Sequence, residues 1–291
     1  MRAGQGYRYL LSSVVAGDGD LDAASALSGY YAKAGTPPGT WMGVGLKGLR
    51  TITQGDRVLE KQLRRLIGYG QHPDTGKLLG RAYRQFATVD QRIERRVDRL
   101  PKELDEVARG SQRARIIAEE ARRPTGSPVA GFDLTFSASK SVSTLWAVSD
   151  EGTQALIADA HHQTIRDVLE IVERDVAMTR VGTEGPRGAV AQVEVRGVVA
   201  AAYDHYDSRA SDPQLHTHVV IANRVQGVYD GKWRTLDSRA LHAAVTGLSE
   251  HYNAVLSDHL TRLIAVSWEE RERDWQLIGY ASRSSVRLPR Q

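Results

Sequence analysis

The stretch SDPQLHTHVVIANR, residues 211–224, narrows the fold more than any other, because an apolar run that belongs inside a protein opens with two histidines two positions apart. In an extended strand, residues i and i+2 point to the same side, so the imidazoles of His216 and His218 share a face. Upstream, GAVAQVEVRGVVAAAYDH, residues 188–205, is strand material rich in Val and Ala, and the polar loop YDSRASDPQ returns the chain to the histidine-bearing strand. Placing the two strands antiparallel brings His205 beside His216 and His218, so three imidazoles converge.

Composition narrows what such a cluster can hold. The 291-residue chain has no cysteine, which excludes disulfides, thiolate metal sites and cysteine nucleophiles. Any bound metal must then rest on histidine and carboxylates. Three neutral histidines suit a divalent ion and leave coordination positions open, and because they do not cancel its charge the open side favours an anion such as a phosphate oxygen. A ligating histidine usually gives its second N–H to a carboxylate. Asp133, set between apolar residues in GFDLTF, is the candidate, since an unpaired carboxylate there is costly. The other six histidines, at 72, 161, 162, 242, 251 and 259, fall on expected helices or loops without partners and read as structural or surface residues.

An apolar fraction of 41% is ordinary for a globular protein, and the net charge of +4 is compatible with a polyanionic partner without requiring one. No run of about 18 apolar residues is present and the N-terminus lacks a secretory pattern, so the expectation is a cytoplasmic protein with no membrane insertion. Helices are expected over residues 3–16, which carry Tyr7 and Tyr9, and over 57–67, 153–179 and 239–264. Residues 29–49, rich in Gly and Pro, read as a loop held by contacts. Residues 89–123, with ten Lys and Arg and eight Asp and Glu, read as a solvated helical insertion. SASKSVS leads from the FDLTF strand into a helix, and Asp230-Gly231 marks a hairpin turn. GYGQHPDTGKLLG resembles a phosphate-binding loop only superficially, with Leu78 where a magnesium-binding Ser or Thr belongs. The whole is expected to be a mixed α/β (α+β) sandwich, with a central, mainly antiparallel sheet carrying the three histidines and flanking helices.

These motifs, taken together and in order, resemble the conjugative relaxases of the TrwC/TraI (MobF) class, members of the HUH endonucleases. GFDLTFSASKSVS at 131–143, HYDSRASDPQLHTHVVIANR at 205–224, GYYAKAGTPPGTWMGVGLKGL at 29–49 and DGKWRTLD at 230–237 carry the likeness over nearly the whole chain. The resemblance implies one relaxase domain over 1–291, the N-terminal part of a longer protein. It further implies metal-dependent nicking of single-stranded DNA at an origin of transfer, with a tyrosine forming a covalent 5′-phosphotyrosine and the strand later rejoined. Mg²⁺ or Mn²⁺ is the implied cofactor, held by His205, His216 and His218, with Asp133 assisting. Relaxosome accessory proteins and a secretion coupling protein are the implied partners. Tyr9 is the preferred nucleophile and Tyr7 the next, while Tyr30 and Tyr31 match a second tyrosine pair that serves a second transfer step in some members. Lys140 and Arg209 are candidates for holding DNA phosphates, and Trp41 and Trp233 for stacking on bases, although single large aromatics are more often core. The chain begins almost at its first helix, without the short strand the family places before it. Two other readings share parts of the pattern: a three-histidine hydrolase using water, and a DNA-binding module without catalysis.

Overall fold

A computed structural model describes residues 1–11, 37–182, 188–208, 210, 212–270 and 275–280. In chain order, Thr40–Met42 forms β1, Glu60–Leu63 α1, Val89–Val97 α2, Glu106–Arg122 α3, Gly131–Ser137 β2, Lys140–Val148 α4 and Glu151–Ile171 α5. Met178–Gly182 and Val190–Glu194 pair as β3 and β4, Ala200–Asp207 and Pro213–Ala222 are β5 and β6, and Val225–Gln226 with Trp233–Arg234 forms the ribbon β7–β8. The long helix α6, Ser238–Ile264, leads into β9, Val266–Glu270, which pairs with β10, Trp275–Tyr280. Four strands make the central sheet, in the order β1–β5–β6–β2 with every neighbour antiparallel. The architecture is the mixed α/β sandwich expected from the sequence.

Period-two alternation gives this sheet two cores. Leu215, Val219 and Ile221 of β6 and Ala200 and Ala202 of β5 face α4, α5 and α6, where Val142, Trp146, Ile157, Val168 and Leu256 are buried. Val220, Ala222, Ala201 and Tyr203 take the other side, covered by Tyr7, Leu10, Trp41, Leu46 and Leu66. Each fully buried Leu or Ile is worth about 1.5–3 kcal/mol over leaving it exposed, so both faces stabilise the sheet. Long helices therefore cover one face, and shorter, looped segments cover the other. The helices start where the sequence offers acceptors: Ser139 caps α4 through Val142 N–H, and Asp150 caps α5 through Thr153 N–H.

Several local expectations need correction. Within the described part of residues 3–16 there is no α-helix, only turns and a 3₁₀ segment, Arg8–Leu11. Gly4 has φ +82°, and a Cβ at Gly6 would lie 2.1 Å from the Arg2 carbonyl oxygen, so the chain doubles back too tightly for a helix. A short extended contact does precede this turn: Arg2 bridges Val129, with Ala3 N–H donating to Pro128 O and Ala130 N–H to Met1 O. The 29–49 loop includes β1, at the edge of the sheet, followed by a 3₁₀ segment over Val44–Gly48. Trp41 is wholly buried, and Trp233 packs on the same core from its margin. The strand material of 188–205 divides at Gly197, whose φ is +87°, into β4 and β5, which belong to different sheets. The 89–123 insertion is the hairpin α2–α3, in which Glu120 is buried beneath Arg92, Arg96 and Arg123.

Candidate metal centre and its tyrosine

Strands β5 and β6 pair in a register that sets His205 directly opposite His216, and His218 follows two residues along the same face. The three ring centroids lie 5.2, 5.0 and 5.4 Å apart, and one potential ligand atom from each residue lies within 4.8 Å of the others. His216 Nδ1 is 2.8 Å from the Gln214 carbonyl oxygen, which only accepts, so this nitrogen carries the proton and Nε2 keeps its lone pair. His218 Nδ1 lies 3.0 Å from both oxygens of Asp133, which leaves its Nε2 free in the same way. His205 Nε2 is buried and has no hydrogen-bond partner. Burial, followed by the neighbouring His218 and His216, pushes the His205 pKa down to about 4, so this imidazole is neutral at physiological pH. An unpartnered buried nitrogen on His205, gathered with potential ligand atoms of His216 and His218, fits a divalent cation.

Tyr9 stands beside this cluster. Its hydroxyl donates to Asp133 Oδ2, and its ring meets His218 edge-on at 5.9 Å between centroids. Burial and then the Asp133 carboxylate push the phenol pKa far above its ordinary value, so Tyr9 rests as a neutral donor. Tyr9 is 43% exposed, whereas Tyr7 is 1% exposed, with its ring in the second core. The two-residue step therefore puts one tyrosine at the cluster and the other inside the protein. Asp133 reaches both Tyr9 and His218 because β2 pairs with β6, with Thr135 opposite His218. A cleft of about 780 Å³ runs between β2 and α6, with Asp133, Thr135, Ser137, His242, Asn253 and Trp268 among its lining residues.

The remaining candidates fall elsewhere. Lys140, the first residue of α4, donates to the Pro213 carbonyl at 3.0 Å and pairs with Asp212 at 3.3 Å, which ties α4 to the start of the His-bearing strand. Tyr30, Tyr31 and Arg209 lie outside the described residues.

The expectation that the other histidines lack partners is wrong for most of them. His72 is 2.8 Å from Leu49 O, His242 meets the Phe132 ring edge-on, and His259 lies 3.3 Å from Asp167. His161 and His162 matter most. His161 is fully buried between Tyr252 Oη, at 2.8 Å, and Thr217 Oγ1, at 2.9 Å. His162 Nε2 lies 3.0 Å from Asp204 Oδ2, and Thr217 donates to Asp204 Oδ1 at 2.5 Å. Sequence reasoning missed Asp204 and Thr217 because it followed only the histidine face. For His161 the signal was the apolar stripe Ile157, Ala160, Ile165 and Val168 on α5, on whose face it lies and which places it in the core.

Comparison with known proteins agrees with this geometry. A family model described as TrwC relaxase matches residues 3–287. The multifunctional conjugation protein TraI of Escherichia coli is 44% identical over 121 residues, which is 42% of this chain and 6% of that protein's length. Among solved structures, the conjugative relaxase TrwC in complex with oriT DNA, in a metal-bound form, superposes with a TM-score of 0.58 at 25% identity over 82% of this chain and 65% of that one. TrwC complexed with a 27-mer DNA comprising the recognition hairpin and the cleavage site gives 0.58 at 25% identity, over 88% and 69% of the two chains.

Proposed function

The chain belongs to the TrwC relaxase family, and from that premise we propose that it nicks single-stranded DNA at an origin of transfer by tyrosine transesterification. The observation that carries this reading is the placement of the Tyr9 hydroxyl on Asp133, the same carboxylate that orients His218. His205, His216 and His218 would hold a divalent ion, for which the family resemblance implies Mg²⁺ or Mn²⁺, and that ion would supply positive charge to polarise a scissile phosphate.

This chain's own residues do the rest. Tyr9 Oη attacks phosphorus, the Oη–P bond forms as the P–O3′ bond breaks, and the phenol proton passes to the carboxylate already accepting it. The departing 3′ oxygen takes up a proton from water. The 5′-phosphate stays on Tyr9, so attack by a 3′-hydroxyl reverses the step without an external energy source. Asp133 acts twice, as proton acceptor for Tyr9 and as the group that fixes the His218 tautomer. Tyr30 and Tyr31 belong to the same proposal as a second-step pair, Lys140 and Arg209 as phosphate contacts, and accessory relaxosome proteins and a coupling protein as partners of the complex.

The test is incubation of the protein with labelled single-stranded oligonucleotides spanning the cognate transfer origin, with Mn²⁺ or Mg²⁺ or with chelator, followed by denaturing gels and peptide mapping. The expected result is a metal-dependent covalent adduct on Tyr9. Cleavage without an adduct would replace this reading with a water-using hydrolase, and binding without cleavage would leave a recognition module.

A further inference from the structure

The metal ligands alternate along their strands with residues that point to the opposite face of the sheet. Asp204 precedes His205, Thr217 separates His216 from His218, and Asp204 pairs with Thr217 in the β5–β6 register, one rung from the His205–His216 pair. Behind them lies the chain of contacts made by Tyr252, His161, Thr217, Asp204 and His162.

The direction of each hydrogen bond follows from what its members can donate. Thr217 gives its only hydroxyl proton to Asp204, so towards His161 it can only accept, and His161 Nε2 must carry the proton. Burial, then the neighbouring His162, holds the His161 pKa down at about 3, so the ring is neutral and its Nδ1 accepts from the Tyr252 hydroxyl. Asp204 accepts from Thr217 at one carboxylate oxygen, and its other oxygen lies 3.0 Å from His162 Nε2. Tyr252, His161 and Thr217 therefore donate in series towards the Asp204 carboxylate, and His162 meets its other oxygen from α5. Such an array has one low-energy arrangement, whereas apolar side chains of the same size would slide.

The geometry points to Thr217 and His161 as positioning residues for the three-histidine centre: from the far face of the sheet they fix the spacing and tilt of β5 and β6 where the ligands project. This rests on the metal-site reading above. It assigns the polar residues of α5 and α6 a part in metal binding although they stand on the opposite side of the sheet from it. The array also ties the ligand strands to two helices, so ligand geometry depends on helix packing.

The test uses the full chain and Co²⁺ as a spectroscopic probe. Thr217→Val removes the hydroxyl at almost constant volume, Thr217→Ser restores it, and Ile157→Ala opens a cavity in the same core without touching the array. Wild type should bind Co²⁺ with visible d–d absorption. Thr217→Val should weaken binding by about 10-fold, the low end of the range for partners that bond a ligand directly, and shift that absorption. Thr217→Ser should recover both. Ile157→Ala should lower the melting temperature and leave affinity and spectrum in place. An unchanged affinity and spectrum in Thr217→Val overturns the inference, as does an equal loss in Ile157→Ala, which would mark general loosening. Failure of the wild type to bind Co²⁺ would overturn the metal-site reading itself and the inference with it, and that outcome is distinguishable because it appears before any substitution is made.

Discussion

The two faces of the β5–β6 pair use the same residue type to opposite ends. On one face, His205, His216 and His218 gather with free nitrogens near an exposed tyrosine. On the other, His161 has both nitrogens committed and no exposure at all. Both His161 and His205 are kept neutral by burial, yet only His205 retains a nitrogen with nothing to bond. A ligand histidine is thus distinguished from a structural one by the unused valence that the fold leaves it, and not by its pKa.

The sharpest way to break this contrast is at Tyr9. Tyr9→Phe should reduce adduct formation by at least roughly 10³-fold, as loss of a nucleophile does elsewhere, while Tyr7→Phe stays close to wild type; denaturing gels with labelled oligonucleotide measure both. An adduct that persists in Tyr9→Phe and vanishes in Tyr7→Phe would reverse the assignment. Next in size is His218→Ala, which removes a ligand and also strips Asp133 of its imidazole partner. Calorimetric titration should show Mn²⁺ affinity falling by more than the roughly 10- to 100-fold typical of outer-shell losses.

The buried face makes a smaller, pH-dependent prediction. The folded-state pKa of His161 lies near 3, below its ordinary value of 6.5. Between those values the unfolded chain binds a proton that the folded chain refuses, so this group's contribution to stability falls as pH drops through that window, by up to about 1.4 kcal/mol per pH unit. Asp204, with its pKa brought down to about 2, adds a loss of the same sign only in the more acid range, from the ordinary carboxylate value downwards. Burial alone would lower the His162 pKa, but the Asp204 hydrogen bond more than reverses this, so His162 works in the opposite sense, stabilising most at low pH. Urea unfolding in chelator at neutral pH and at about pH 5 should show a steeper loss in wild type than in His161→Phe. Equal slopes would remove the burial argument. The smallest effect is expected furthest from the sheet: Glu120→Gln weakens the pairing of α2 with α3 and leaves nicking unchanged, which hydrogen exchange and the gel assay together would show.

Much of this could be read in the sequence, and the exceptions share a cause. The spacing of His205, His216 and His218, with strand periodicity, was enough to predict their convergence, because a hairpin register follows from local rules. The Asp230-Gly231 turn was legible for the same reason, with Gly231 at φ +65°. The N-terminal turn was not, because Gly4 acts through a positive φ and Gly6 through a close approach to Arg2, neither of which periodicity registers. Nor was the His161 array, since its members come from α5, β5, β6 and α6, and only tertiary packing brings those elements together. Tyr7 and Tyr9 were hard to rank because exposure, which separates them, is set by the second core.

The turn that carries Tyr9 has a mechanical consequence. Tyr7 and Leu10 flank Tyr9 as two buried wedges, and the residues before them are stitched to the segment leading into β2, with Ala3 N–H donating to Pro128 O and Ala130 N–H to Met1 O. A DNA strand joined to Tyr9 would pull on a short lever pinned on both sides. To yield, the segment would have to draw an aromatic and a leucine out of the core, so a strand under tension is held by buried side chains as well as by main-chain hydrogen bonds.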